Sequence, residues 1–353
     1  MPPSASCDGF GSMSRDLVLV IGVGRSGTSA FTGILRETGF HVPQPEVEAD
    51  DTNPRGFNEP RWVVDFHTRE LKRRRVTTID SRPAAFTATE KSATDDAVIA
   101  ELRSWLDVQF VGAPRVVIKD PRISWFLPLW RRCAADLTAT PSCATMLRPP
   151  TEVLGSARQW YGSWQNDASR AAGWVNIMLR TEHQTRDSAR VFVRYDALLG
   201  DWRAQLARVG NRLGIAGLDE VEPAAAQRIA EFVDPQLRRQ TPGWGDLSVP
   251  AHLRDLVDRV WDAMVPLAGD RGDPAGIDAL RAEYEALYAD AEAIAQSTVR
   301  AAKTKGRPAP ATKSAADKPA STPPTPVPPR PLLGRVARRA RRDLGRIRGR
   351  LRS

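Results

Sequence analysis

Gly22-Val23-Gly24-Arg25-Ser26-Gly27-Thr28-Ser29 packs three glycines, three hydroxyls and one cation into eight consecutive residues. The octet follows the apolar run Leu17–Gly22 and precedes a helical pattern. Glycines let the backbone turn tightly, and the N–H groups that open the next helix then face an anion. The segment therefore reads as a phosphate cradle rather than a plain strand-to-helix turn. Three ligand classes compete for it. Gly22, Gly24 and Gly27 fit the dinucleotide pattern G-x-G-x-x-G, but that site needs an acid on a second strand about 20 residues on. The sequence there is Phe40-His41-Val42-Pro43-Gln44-Pro45, with two prolines and no acid. Gly22, Gly27 and Ser29 fit the skeleton G-x-x-x-x-G-K-[ST], but Thr28 stands where the phosphoryl-binding lysine belongs, which speaks against an NTPase or a kinase. In the third reading the cation has moved forward to Arg25. With hydroxyls at Ser26, Thr28 and Ser29 beside it, the loop offers an anion hydrogen-bond donors and one cation.

A second cluster follows the apolar run Cys143–Leu147: Arg148-Pro149-Pro150-Thr151-Glu152-Val153-Leu154-Gly155-Ser156. Arg148 leaves the strand end as a fork for phosphate oxygens, and Ser156 falls about two turns into the helix that follows. Together with the Arg25 loop, this pattern resembles the sulfotransferases that use 3′-phosphoadenosine-5′-phosphosulfate (PAPS), in their bacterial form. In that family a basic residue precedes Ser-Gly-Thr in the 5′-phosphosulfate loop. An arginine at a strand end and a serine eight residues later, the spacing of Arg148 and Ser156, hold the 3′-phosphate. Val117-Ile118-Lys119-Asp120-Pro121-Arg122 resembles the family's Lys-Asp-Pro-Arg segment. Val193-Arg194-Tyr195-Asp196-Ala197-Leu198-Leu199 resembles its Tyr-acid-Asp-Leu stretch, with Ala197 in place of the second acid. Asp234-Pro235-Gln236-Leu237-Arg238-Arg239 resembles a late segment that brings an arginine, here Arg238, to the donor. Two family features are missing. Thr28-Ser29-Ala30-Phe31 replaces Thr-Thr-Trp, and no Gly-rich C-terminal donor motif is recognisable, so the adenine pocket stays unassigned.

The resemblance implies a sulfotransferase fold, an α/β architecture with a P-loop-like parallel sheet flanked by helices. It implies PAPS as donor and PAP as product, with no metal required. The donor is expected on Gly24, Arg25, Ser26, Gly27, Thr28, Ser29, Arg148, Ser156 and Arg238. The acceptor is expected to be a hydroxyl on a carbohydrate or glycolipid. Arg25 would stabilise charge on the bridging oxygen. For the base that takes the acceptor's proton, the reading favours Glu59, in the turn-rich stretch Asn53-Pro54-Arg55-Gly56-Phe57-Asn58-Glu59-Pro60. His67 is the alternative base, and it also reads as a surface histidine; Asp120 and the His41 region are further candidates. Lys119 and Arg122 would position acceptor or donor, with Asp120 as their local partner.

These residues need a scaffold, and the chain alternates short apolar runs with helical periods from Asp16 to about Ala302. Strands are expected at Leu17–Gly22, Arg115–Lys119, Cys143–Leu147 and Arg190–Arg194. Helices are expected at Thr28–Thr38, Pro60–Arg74, Asp95–Phe110, Thr151–Ser163, Trp202–Leu213, Pro223–Phe232, His252–Ala268 and Gly276–Ala302. Residues 1–15, rich in Ser, Gly and Pro, are expected to be disordered; 16–302 form the sulfotransferase domain; 303–331 form a Pro/Ala/Lys-rich linker; 332–353 form an Arg-rich amphipathic helix. The formal charge is +9, and Arg330–Ser353, with ten arginines and one aspartate, carries all of it, so the remainder is neutral. Leu333, Val336, Ala340, Leu344, Ile347 and Leu351 share one face of that final helix. Such a helix suits an anionic membrane surface, and a neutral body without a nucleic-acid motif disfavours nucleic acid. Cys7, Cys133 and Cys143 lack metal-ligand spacing and fit a reducing compartment. Met1–Arg15 shows no secretory pattern, and no run reaches the roughly 18 apolar residues of a membrane span. The expected location is the cytoplasm, with peripheral attachment to the inner membrane face. The rival classes are a nucleotide kinase or NTPase and a non-enzymatic PAPS- or PAP-binding protein.

Overall fold

The computed structural model describes residues 15–161, 165–233 and 243–305. Four strands, β1 (Asp16–Ile21), β2 (Arg115–Lys119), β3 (Thr140–Leu147) and β4 (Arg190–Arg194), form one parallel sheet in the order β2-β1-β3-β4. β1, β2 and β4 carry continuous apolar runs, Leu17–Ile21, Val116–Ile118 and Val191–Val193, rather than alternation, as strands covered on both faces require. In β1, Leu17, Leu19 and Ile21 enter one core cluster, while Val18 and Val20 enter another on the opposite face. The chain leaves β1 for β2 on one side and returns to β3 on the other. The order therefore reverses at β1, and a crevice opens at the carboxyl end of that strand, where ligands of open α/β sheets bind.

The smaller layer comprises α1 (Thr28–Glu37), α8 (Tyr195–Gly200), α9 (Trp202–Leu213) and α10 (Pro223–Phe232), which pack Phe31, Leu198, Leu206 and Ile229 onto Val18, Val20 and Met146. The larger layer holds α2 (Arg61–Arg74), α3 (Ala84–Glu90), α4 (Asp96–Val111), α5 (Leu127–Ala135), α6 (Pro150–Tyr161), α7 (Asp167–Thr185), α11 (Ala251–Met264) and α12 (Pro274–Lys305). Side chains cap several of these helices: Asp95 accepts from the Val98 N–H, Asn166 from Ser169 and Asp201 from Ala204.

Among the described residues the four expected strands and eight expected helices form, with ends displaced by a few residues and the expected helix end at Ser163 outside them. The sequence reading misses four helices, α3, α5, α7 and α8. The most informative of these is α7. It is buried nearly all round, with Arg170, Asn176 and Glu182 inside beside Trp174 and Ile177, so no apolar stripe betrays it. Expected as one helix, His252–Ala268 is instead α11 followed by a 3-10 turn at Val265–Gly269, where Pro266 supplies no N–H for an α-helical bond. The chain divides into a unit ending at Val299 and a second from Arg300, and α12 continues to Lys305, past the expected linker start. The N-terminal segment 1–14, the Arg238 segment and the Arg-rich tail all lie outside the described residues. Among the described residues no helix is long and apolar enough to cross a membrane.

Candidate active site at the carboxyl ends of the strands

A cavity of about 630 Å³ lies over the carboxyl edge of the sheet, and all four strands or their following loops reach it. Tyr195 comes from the end of β4, Arg148 from β3, the Gly-rich loop from β1 and Lys119 from β2.

The loop shows why its sequence is what it is. Gly27 is the N-cap of α1 at φ 94°, in the left-handed region. A Cβ there would also stand 2.2 Å from the Tyr195 ring, so only glycine lets the loop lie against β4's end. No side chain caps α1, so its first-turn N–H groups are not satisfied by the cap residue. Ser26 is buried, and its Oγ has no hydrogen-bond partner among the described residues. An orphaned buried hydroxyl beside an uncapped helix start is what an incoming anion's oxygens would satisfy.

Arg25 adopts φ 76°, uncommon for a residue with a Cβ. Its backbone is held there from β3: the Arg148 guanidinium Nη1 donates to the Arg25 carbonyl at 2.9 Å. The Arg25 side chain reaches back, Nε donating to Ser156 Oγ at 2.9 Å and Nη1 to the Thr52 carbonyl at 3.3 Å. Arg148 is itself pinned by Glu152 at 3.0 Å and lies 4.8 Å from the Tyr195 ring centroid. The two halves of the expected donor signature, more than a hundred residues apart in sequence, are thus hydrogen-bonded to one another.

On the β2 side of the cavity, Lys119 forms a buried ion pair with Glu59 Oε1 and donates to Ser29 Oγ at 3.2 Å. Asn53 and Asn58 tie Glu59's loop to α1: Asn53 Nδ2 donates to Ser29 Oγ at 3.3 Å and Asn58 Nδ2 to the Ser29 carbonyl at 3.0 Å. Pro60 occupies the N-cap of α2 and sets its start directly after Glu59. The geometry therefore gathers Gly24, Arg25, Gly27, Thr28, Ser29, Glu59, Lys119, Arg122, Arg148 and Ser156 around one cavity, with Ser26 buried beneath the loop.

His67 is not among them. It is fully buried on the inner face of α2, and the Trp130 indole N–H donates to its Nε2 at 3.0 Å. An indole can only donate, so Nε2 accepts and Nδ1 carries the proton, which goes to Asp120 Oδ2 at 2.9 Å. With both nitrogens engaged in the core, His67 cannot take a proton from a ligand in the cavity, and it is not a surface residue. Asp120 is likewise fully buried, its Oδ1 accepting from the Arg122 backbone N–H at 2.9 Å and guanidinium at 2.7 Å. Burial pushes this carboxyl up, but the Arg122 charge and the His67 hydrogen bond outweigh it and hold the group at about 2. Asp120 is a charged anchor rather than a base. Cys133 and Cys143 are buried free thiols that burial pushes up to about 11, too high for thiolate chemistry.

Four aromatics line the cavity wall, Phe57, Trp160, Tyr195 and Phe232, and the sequence assigns a role to none of them. Phe232 ends α10, far along the chain, and nothing in its local pattern marks it. Among the described residues no group of three or more His, Cys, Asp or Glu side chains gathers as metal ligands.

No family model matches the chain, and no curated protein matches it. Among solved structures, the sulfotransferase domain of a Synechococcus olefin synthase aligns at 15% identity and a TM-score of 0.40, over 69% of this chain and 94% of that one. A sulfotransferase domain from the curacin biosynthetic pathway aligns at 11% identity and a TM-score of 0.37, over 75% and 96%. Overlaps this loose leave the chemistry to be read from the site itself.

Proposed function

We propose that the chain is a sulfotransferase that moves a sulfuryl group from PAPS to an acceptor hydroxyl. One observation carries this reading: two strand-to-helix junctions, Arg25–Ser29 and Arg148–Ser156, are hydrogen-bonded to each other at the crevice beside β1. A nucleotide with phosphate at both its 3′ and 5′ positions needs such paired anchors. The orphaned Ser26 hydroxyl, the uncapped start of α1 and the glycine at position 27 fit the 5′ end.

In this reading the Arg148 fork and the Ser156 hydroxyl bind the 3′-phosphate, and the loop N–H groups with Ser26, Thr28 and Ser29 bind the 5′-phosphosulfate. Tyr195, Phe232 and Trp160 offer flat faces for adenine. PAPS supplies an activated sulfuryl group. Glu59 takes the acceptor's proton as the acceptor oxygen bonds to sulfur and the bond from sulfur to the bridging oxygen breaks. Arg25 meets the charge left on that oxygen, and PAP departs. Lys119, between Glu59 and Ser29, holds the base against the loop and sets a cation beside the transferring group. A calorimetric titration with PAP should give heat where ATP–magnesium and NAD give none, and PAPS turnover should persist in chelator. Binding of ATP–magnesium or NAD in place of PAP would remove the reading.

The acceptor class and the tail complete the proposal. A sugar or glycolipid hydroxyl is the acceptor the sequence suggests, and residues 332–353 are read as a helix for an anionic bilayer. Anionic vesicles should retain the full chain and release a chain ending at Ala302; equal retention of both would exclude the tail's role.

A further inference from the structure

The Lys119–Arg122 segment contains a buried assembly that the donor chemistry above does not use. Trp130 donates to His67, His67 donates to Asp120, and Asp120 accepts two bonds from Arg122. The His67 ring also stacks on Phe126, centroids 4.9 Å apart and planes at an angle of 10°. Trp130, His67 and Asp120 are fully buried, whereas Arg122 emerges onto the cavity wall with its side chain 21% exposed. The buried end is thus fixed in every direction, and its one solvent-facing terminus is a guanidinium in the active cavity.

Such an arrangement is expensive as mere packing. A buried carboxylate needs several donors to remain charged, and apolar side chains of the same volume would fill this core at no such cost. Here the donors come from α2, from the turn after β2 and, through His67, from α5. The Asp120 charge then holds the Arg122 guanidinium from inside a low-dielectric core, where that attraction is stronger than at a surface. The Arg122 backbone N–H is bound to the same carboxylate oxygen, which fixes the turn as well as the side chain.

We infer that His67 is a positioning residue that acts through Asp120 to hold Arg122 on the acceptor side of the cavity, where the guanidinium serves sulfuryl transfer rather than donor binding. The assignment rests on the sulfotransfer reading above. It places Arg122 at β2, across β1 from the 3′-phosphate anchors on β3, so its loss should affect turnover and spare nucleotide affinity.

The test is a mutant cycle on the full chain, read by PAP titration and by PAP release from labelled PAPS with water as acceptor. Thermal unfolding confirms that each variant is folded. Arg122→Ala, Asp120→Asn and His67→Leu should each lower PAP release at least about tenfold, since displacing a reacting group by about 1 Å can cost up to about 100-fold. All three should bind PAP within about twofold of the parent. His67→Asn, which can still donate an N–H toward Asp120, should recover most of the rate. The deciding comparison is His67→Leu in an Arg122→Ala background, where no further loss is expected because the path has already been cut. An equal further loss in that background, or an unchanged rate in His67→Leu alone, would overturn the assignment. Absence of PAP binding by the parent chain would instead remove the sulfotransfer reading, and this inference with it.

Discussion

Arg148 provides the sharpest test of the donor site, provided the substitution is designed around its neighbour. The side chain is 8% exposed and its Nε is bound to Glu152, itself only 4% exposed. Truncating Arg148 alone would break a buried ion pair and cost about 3–5 kcal/mol of stability, which would confound any binding result. The double change Arg148→Met with Glu152→Gln removes both charges at nearly constant volume and should fold. A hydrogen bond to a charged group contributes about 1.5–3 kcal/mol, so loss of the fork should weaken PAP about 10- to 140-fold. The assay is a calorimetric comparison of PAP with adenosine 5′-monophosphate, which lacks the 3′-phosphate. The parent should prefer PAP by that factor, and the double variant should bind the two ligands almost equally. A variant that keeps the full preference for PAP would refute the placement of the 3′-phosphate on Arg148.

Other expectations follow from the same geometry. Glu59→Gln should bind PAP normally and lose about 100-fold or more in turnover, read by PAP release; an unchanged rate would move the base elsewhere. Gly27→Ala should cost at least about 2 kcal/mol in urea unfolding, combining left-handed strain with a collision against the Tyr195 ring. Gly39→Ala, at φ 91° with nothing within 4 Å of the new Cβ, should cost only the strain, so equal losses would count against the collision. Asp120 titrates at about 2 when folded, below the roughly 3.9 of an unfolded aspartate, so its stabilising contribution is complete above about pH 4. That contribution disappears as pH falls toward 2, and Asp120→Asn should flatten this part of an acid-unfolding curve; an unaltered curve would show that Asp120 is not held charged.

What the sequence revealed depended on how local the constraint was. The turn at the Arg25 loop is legible because its backbone demands glycine at fixed offsets, and Gly27 is required by both its φ and the Tyr195 ring. The strands were legible as continuous apolar runs, and the ends of β2, β4, α9 and α10 fall where the pattern puts them. His67 was misread because its fate is set by Trp130 and Asp120, each more than fifty residues away. Helical spacing alone places a histidine on a face but does not say what will cover that face. The hidden helix α7 illustrates the same limit, since its buried Glu182 is satisfied by Arg186 and Arg190 and so reads as a polar position in sequence. Phe232 reaches the cavity only because α10 packs against α1, where its ring lies over Gly33.

The hydrogen bonds across β1 explain why the site can be ready before any ligand arrives. Holding Arg25 in the left-handed region costs about 1–2 kcal/mol, and the Arg148 bond to its carbonyl offsets part of that. In the proposed reading, the residue that holds one end of the donor therefore also shapes the loop that holds the other. From the opposite side, Lys119 and Asn53 both contact Ser29, so the loop carrying Glu59 is fixed to the same helix start. The first turn of α1 is the node at which the proposed donor anchors and the proposed base meet. Electrostatic catalysis works by placing charges before the reaction rather than moving them during it. A sheet whose order reverses at β1 allows that, because it opens the one crevice where ends of neighbouring strands can all be braced against a single helix N-terminus.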